Sequence, residues 1–267
     1  MTNIIYTKNI TICDNETIAS QRVAHFIANE IKSKQANGLP ITLGLATGNT
    51  PKMVYEQLVR MHKNEGLSFK NVISFNLDEY YPLEPSHPLS YHQFMDTHLF
   101  GQVDILPENV HIPNGTWQKE QLAQCCEDYD KKILDCGGID IQLLGIGRNG
   151  HIGFNEPGSA FDSPTRLIDL HSLTRNDAAA DFEGLEKVPL QAVTMGIQSI
   201  TQAKKIILLA LGSRKADIIQ KAFQEEVSPE IPATFLRTLS QVAFVLDKEA
   251  AALIAEPLGN NSLTSKY

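Results

Sequence analysis

Apolar residues along the chain follow two alternating patterns. Over 16–34, ETIASQRVAHFIANEIKSK, the apolar residues Ile18, Val23, Phe26, Ile27 and Ile31 recur close to helical spacing, which predicts an amphipathic helix. The next apolar stretch, ITLGLATG, is short and continuous. It gives way to NTPKMVYEQLVRMHKNEG, where Thr50 is placed to cap a helix and Pro51 suits its first position. The unit then repeats. NVISFNLDEYY reads as one strand, followed by a proline-containing loop and the helix-like LSYHQFMDTHLF. EQLAQCCEDYDKKILDCGG is helical and feeds the strand IDIQLLGIG; KKIILLALG precedes SRKADIIQKAFQ, and VAFVLDKEAAALI closes the series. Continuous apolar strands imply burial on both faces. Their alternation with helices predicts a parallel sheet covered on both sides, with right-handed crossovers and a ligand site beyond the carboxyl ends of the strands. No internal repeat or linker rich in glycine and serine divides the 267 residues, so one domain is expected over 1–267, with the tail EPLGNNSLTSKY fraying.

Composition narrows the ligand class. Lysine and arginine total 23 against 31 acidic residues, a net charge of -8 with no long basic tract. That balance argues against a nucleic-acid surface and for a small-molecule partner. No apolar run approaches bilayer length, and the start MTNIIYTKNITICDNET has neither a basic leader nor a cleavage site. The expectation is a cytoplasmic protein without membrane contact. Cys13, Cys125, Cys126 and Cys136 show no C-x-x-C spacing, so they are read as ordinary thiols rather than a zinc site or a disulfide framework.

The segment GIGRNGHIGFNEPG, 145–158, follows IDIQLL and contains G-x-G-x-x-G. A dinucleotide site needs the third glycine to open a helix, with an acidic residue about 20 positions later. Asp169 falls near that position, but Gly153, Pro157 and Gly158 make a regular helix implausible. What remains is a glycine-rich loop at a strand end holding His151 and Glu156. Histidine shuttles protons near neutral pH, and a carboxylate can orient it and stabilise its charged form; a hydrogen-bonded loop histidine is the plain alternative. Asp78 and Glu79 close the strand NVISFNL and should share the same rim. Acidic residues there cost desolvation unless they meet solvent, a cation or substrate, and a cationic amino substrate suits them. In LATGNTPK, Gly48 allows close backbone approach, Thr47 and Thr50 offer hydroxyls, and the helix beginning near Pro51 presents amides suited to a phosphate. A plain capped helix is the alternative. Lys215, at another strand-to-helix junction, opposes the helix dipole unless an anion is present, or else is a solvated surface lysine. Together these groups describe phosphosugar chemistry.

At this point the chain resembles the glucosamine-6-phosphate deaminases, also called glucosamine-6-phosphate isomerases. LATGNTPKMVYEQL, FNLDEYYPLEPSHPLSYHQFM, LLGIGRNGHIGFNEPGS and LLALGSRKA follow the family's order over nearly the whole chain, and FNLDEY with GHIGFNEP is highly specific. The resemblance implies an α/β fold, a three-layer αβα sandwich with a mostly parallel, Rossmann-like central sheet. It also implies conversion of glucosamine 6-phosphate and water to fructose 6-phosphate and ammonia, with no cofactor and no metal. Carried over residue by residue, it makes Asp78 the proton-transfer base, His151 the ring-opening group and Glu156 its supporting carboxylate. Asn149 stands where the family often has aspartate and would orient His151 without a charge. Thr47, Gly48, Asn49, Thr50 and Lys215 are the phosphate candidates. Oligomeric state stays open, a homo-oligomer included.

Two departures from the family stand out. Members commonly carry a lid arginine about five residues after a TR pair; LTRNDAAADFEG has alanine or aspartate there. Some hexameric relatives are activated by N-acetylglucosamine 6-phosphate through serine, arginine and lysine in the segment after FNEP. Here Ser159 and Arg166 match, but Ile168 replaces the lysine and Asp162 precedes it, so Arg166 is expected to hold a structural salt bridge. Competing readings are an enzyme for a related phosphosugar such as galactosamine 6-phosphate and a sugar-phosphate sensor without catalysis. Sensors usually travel with a DNA-binding helix-turn-helix, and no basic amino-terminal module precedes this region. A phosphogluconolactonase has no need of the base Asp78.

Overall fold

Residues 9–254 are described by a computed structural model; the tail EPLGNNSLTSKY lies outside the described residues. The first helix forms where the periodicity places it. After β1 (Ile10–Cys13), the Asn15 side chain accepts the Ile18 N–H at 3.0 Å and caps α1 (Glu16–Ala36), which buries Ala19, Val23, Ile27 and Ile31 along one stripe. Then come β2 (Ile41–Leu45), α2 (Asn49–Glu65), β3 (Val72–Asn76), β4 (Asp78–Tyr81), α3 (Tyr91–His98), β5 (Val110–His111), α4 (Leu122–Asp135) and β6 (Ile141–Leu144). The remaining elements are β7 (Arg166–Asp169), α5 (Ser172–Ala178), β8 (Gln191–Thr194), α6 (Ile197–Thr201), β9 (Lys205–Ala210), α7 (Ala216–Gln224) and β10 (Val242–Asp247).

Seven strands form one parallel sheet in the order β1-β10-β9-β6-β2-β3-β5. Strand alternation divides its side chains between two cores. Ile207 and Leu209 pack with residues of α1 and α2, whereas Ile206, Leu208 and Ala210 pack with α4, α6 and α7. This is the three-layer αβα arrangement expected. From β2 the chain moves outward through β3 to β5, then returns to lay β6 against the other side of β2. The crevice beyond the β2 and β6 carboxyl ends is therefore a topological switch point, where such sheets bind ligands.

Two local expectations fail. Thr50 does not cap α2; Gly48 occupies that position, and the helix already includes Asn49 and Thr50. NVISFNLDEYY is not one strand. Leu77 donates its N–H to Leu45 O in the parallel sheet at 3.0 Å, while its own carbonyl accepts the Met195 N–H at 2.7 Å. The chain thereby leaves the large sheet and enters a separate antiparallel ribbon of order β4-β8-β7, in which Asp78 and Arg166 both register with Thr194. The ribbon's core is aromatic, with Tyr80, Phe154 and Phe182 clustered beside the crevice. Among the described residues no helix is long and apolar enough to cross a membrane.

Candidate active site

Four adjacent parallel strands deliver the predicted residues to one cavity of about 550 Å³. Thr47 to Thr50 follow β2, Asp78 follows β3, His151 sits in the loop after β6, and Lys215 follows β9; all of them line it. Asn149 and Glu156 do not line it but stand behind His151.

At one end of the cavity, helix amides and an ammonium come together. Tyr55, fully buried on α2, donates its hydroxyl to Ala46 O at 2.5 Å and fixes the exit of β2. Gly48 then adopts φ 89°, a left-handed conformation that glycine takes without strain, and α2 starts with no side-chain cap on its first amides. Facing this turn, Lys215 is half-buried and donates from Nζ to Ile146 O at 2.6 Å, so it is not a solvated surface lysine. Its approach is fixed by the Asp247 carboxylate, which accepts the Gly212 N–H at 2.9 Å. Burial holds the Lys215 ammonium below its ordinary pKa, with Asp177 opposing and Arg148 reinforcing that shift.

Two glycines of the 145–158 loop allow close approach around the cavity residues. A Cβ on Gly147 would fall 2.1 Å from His151 Cε1, so a glycine there leaves room for the ring. Gly153, at φ 57°, brings the loop against Asp78: a Cβ there would lie 3.4 Å from Asp78 Oδ2. His151 Nδ1 lies 2.7 Å from Asn149 Oδ1 and 3.4 Å from Glu156 Oε2, and Asn149 Nδ2 donates to the same carboxylate oxygen at 2.8 Å. The amide must turn its NH₂ to the carboxylate, so its oxygen meets the ring and Nδ1 carries the proton. Nε2 is left without a protein partner among the described residues. Burial would raise the Glu156 carboxyl, but His151, Thr174 and Asn149 together bring it down to about 2.

Asp78 is buried, with only 5% of its surface exposed, and burial pushes its carboxyl well above the usual range; the adjacent Glu79 adds to the push. Glu79 does not share the cavity as expected. It is fully buried and accepts N–H bonds from Tyr91 and His92 at 2.9 and 3.2 Å and from Tyr80 at 2.9 Å, closing the amino end of α3. It is a distant helix cap.

Sequence reasoning passed over several cavity residues. The Tyr91 hydroxyl is hydrogen-bonded to Thr47 and Tyr80, and its ring stacks on Phe154. From α5, Thr174 approaches His151 Nδ1 at 3.4 Å, and Asp177 pairs with Arg148, which lies in the quoted glycine loop itself. Position 180, where the family's lid arginine is expected, is an exposed alanine. Arg166 forms no salt bridge among the described residues. It donates instead to Asn155 Oδ1 at 2.9 Å and Ser159 Oγ at 3.0 Å, because β7 points it at the loop's amide rather than a carboxylate.

The chain is similar to known proteins in sequence and in fold. The family model for glucosamine-6-phosphate isomerases/6-phosphogluconolactonase matches residues 14–244. A glucosamine-6-phosphate deaminase of Oceanobacillus iheyensis is 46% identical over 247 residues, 92% of this chain and 94% of the relative. One of Rhodopirellula baltica is 45% identical over 245 residues, 92% of this chain and 95% of its own. Among solved structures, a monomeric glucosamine-6-phosphate deaminase superposes with a TM-score of 0.87 at 42% identity, covering 92% of this chain and 99% of that one. A 6-phosphogluconolactonase from Trypanosoma brucei, at 22% identity over 94% of this chain and 100% of its own, has a TM-score of 0.73 and shares the fold. Matched over most of its length in both sequence and structure, the chain belongs to the glucosamine-6-phosphate isomerase/6-phosphogluconolactonase family.

Proposed function

We propose that the protein converts glucosamine 6-phosphate and water to fructose 6-phosphate and ammonia, the whole chain acting as one catalytic unit. The observation that carries this reading is the convergence on one cavity of a buried carboxyl, Asp78, a histidine with its Nε2 unengaged, and an anion end made by the α2 amides and Lys215.

Each group has work suited to its surroundings. With the phosphate anchored at the α2 turn, binding energy from the remote end positions the flexible open chain. His151 Nε2 takes the proton of the carbon 1 hydroxyl and passes it to the pyranose ring oxygen, and the bond from that oxygen to carbon 1 breaks to expose the aldehyde. Asn149 and Glu156 hold the ring by Nδ1 and stabilise its charged form. Asp78, ionised beside the substrate's cationic amine, takes the proton from carbon 2 and returns it to carbon 1, while a proton of the amine passes to the carbon 1 oxygen, leaving an iminium at carbon 2. Water adds to that carbon, ammonia departs, and the ketose phosphate remains. The C–O and C–N bonds that break are matched by proton transfers and the addition of water, and carbon 1 is reduced as carbon 2 is oxidised, so electrons balance within the sugar. The naming of relatives up to 46% identical as glucosamine-6-phosphate deaminases supports the same chemistry.

Incubating purified protein with glucosamine 6-phosphate, galactosamine 6-phosphate and unphosphorylated glucosamine, scored for ammonia and ketose phosphate, tests the reading. Equal ammonia and fructose 6-phosphate from the first substrate are expected. Ketose without ammonia would make the protein a simple isomerase, and faster turnover of the galacto epimer would move the assignment to that substrate.

A further inference from the structure

The cavity's charged lining is unevenly distributed. α5 and the residues just after it contribute Asp177 and Asp181 but no cation. Lysines enter from elsewhere: Lys215 after β9, and Lys52 on α2, whose Nζ is 3.0 Å from Asn49 Oδ1 and 5.7 Å from the Phe94 ring centre. A phosphate dianion entering beside two carboxylates is repelled unless further positive charge moves to meet it. Arg148 is the remaining lysine or arginine in the lining. It follows Gly147 and lies two residues beyond Ile146, whose carbonyl holds Lys215.

Its guanidinium is engaged by Asp177 through two contacts, Nε to Oδ2 at 2.9 Å and a short Nη2–Oδ1 contact. Both side chains are nearly half exposed, 47% and 45%. An ion pair so exposed holds its geometry only weakly, and three of the five guanidinium donors are not taken by it. Both charges are also within electrostatic reach of the Lys215 ammonium.

Resting on the reading of the cavity as a phosphosugar site, we propose that Arg148 binds the substrate phosphate, with Asp177 holding the guanidinium at the cavity mouth until the dianion displaces it. A phosphate carries more charge than one carboxylate and offers three acceptor oxygens to a planar fork, so it outcompetes Asp177 without any backbone rearrangement. Supplied from the histidine loop, the cation does what α5, with its alanines and aspartates, cannot.

The test uses inorganic phosphate as probe, titrated calorimetrically into the full chain up to millimolar concentration, alongside KM for glucosamine 6-phosphate. Arg148→Ala and Asp177→Asn both break the same ion pair, so a purely structural latch predicts equal effects. The proposal instead predicts opposite ones. Arg148→Ala weakens phosphate binding and raises KM by roughly 10- to 100-fold, the range of a charge-assisted contact. Asp177→Asn leaves phosphate binding equal or tighter, because the guanidinium is released. Parallel weakening by both variants, an unchanged phosphate affinity in Arg148→Ala, or no phosphate binding by the wild-type protein each overturns it. Phosphate binding with this pattern but no ammonia release would leave Arg148's role standing and overturn only the functional reading.

Discussion

His151 Nδ1 lies 3.4 Å from Glu156 Oε2, and Asn149 is bonded to both, its amide oxygen toward the ring and its NH₂ toward the carboxylate. The neutral amide transmits orientation, while the charge stays on Glu156 one shell further back. Glu156 is itself fixed by the His171 N–H at 3.2 Å, so the loop and the start of α5 are tied at the same carboxylate.

That tie gives a pH-dependent stability. Glu156 is lowered from 4.5 to about 2, so its contribution is fully present above pH 4.5 and is lost as pH falls toward 2. Glu156→Gln should destabilise the fold by on the order of 3 kcal/mol near neutral pH, from about 1.4 kcal/mol per pKa unit. Urea unfolding of both proteins between pH 6 and about 2 measures it: the gap should close on acidification, and a gap constant with pH contradicts this account.

Asp78 should set the acid side of the rate profile. It must be ionised to accept a proton, and burial followed by Glu79 raises its carboxyl well above 3.8. Activity should therefore fall on acidification at a pH above the ordinary carboxylate range. Glu79→Gln removes the like charge and should move that limb to lower pH, while costing about 1 kcal/mol of stability through the weakened α3 cap. A limb that stays in place in this variant shows that Asp78 does not feel Glu79.

Lys215 should govern affinity on the alkaline side. Its ammonium, lowered from 10.5 chiefly by burial, is charged below its pKa and lost as pH rises through it. KM for glucosamine 6-phosphate should climb on the alkaline side before pH 10.5 is reached. Lys215→Met should flatten that rise and raise KM at neutral pH by roughly 10-fold or more, as expected for a lost charge-assisted contact. A rise that survives in Lys215→Met belongs to another group.

The groove beside β7 is poorly equipped for an activating phosphosugar. Asp162, Asp169 and Glu156 line it, and Arg166 is its one lysine or arginine among the described residues, with donors already given to Asn155 and Ser159. Velocity against substrate should give superimposable hyperbolic curves with and without N-acetylglucosamine 6-phosphate. A leftward shift on adding it would show a coupling of the usual 1–3 kcal/mol that this lining does not explain.

The layers and the rim were legible because parallel strands buried on both faces have a strong signature: KKIILLALG can divide its residues between two cores only inside such a sheet. The antiparallel ribbon was not. Leu77 changes sheets by exchanging hydrogen bonds with Leu45 and Met195, and no glycine or proline marks the point. Glu79 was misread for a related reason: the amides it caps lie twelve and thirteen residues away, beyond the reach of local capping rules. Thr50 lost its capping role because glycine at φ 89° starts α2 two residues earlier. Arg148 was visible in the quoted motif, but its importance depends on Asp177, twenty-nine residues on, and only the fold brings the two together.

The central claim is that Asp78 carries one proton from carbon 2 to carbon 1 before ammonia leaves. The most direct measurement is the reaction, in ordinary water, of glucosamine 6-phosphate deuterated at carbon 2, following ammonia release and deuterium at carbon 1 of fructose 6-phosphate by NMR, with wild-type protein and Asp78→Asn. The account predicts deuterium at carbon 1 with wild-type protein. It predicts that Asp78→Asn, which keeps the shape and removes the base, loses roughly 10²- to 10⁴-fold in rate together with enzymatic deuterium incorporation. Full turnover and unchanged labelling by Asp78→Asn would contradict it.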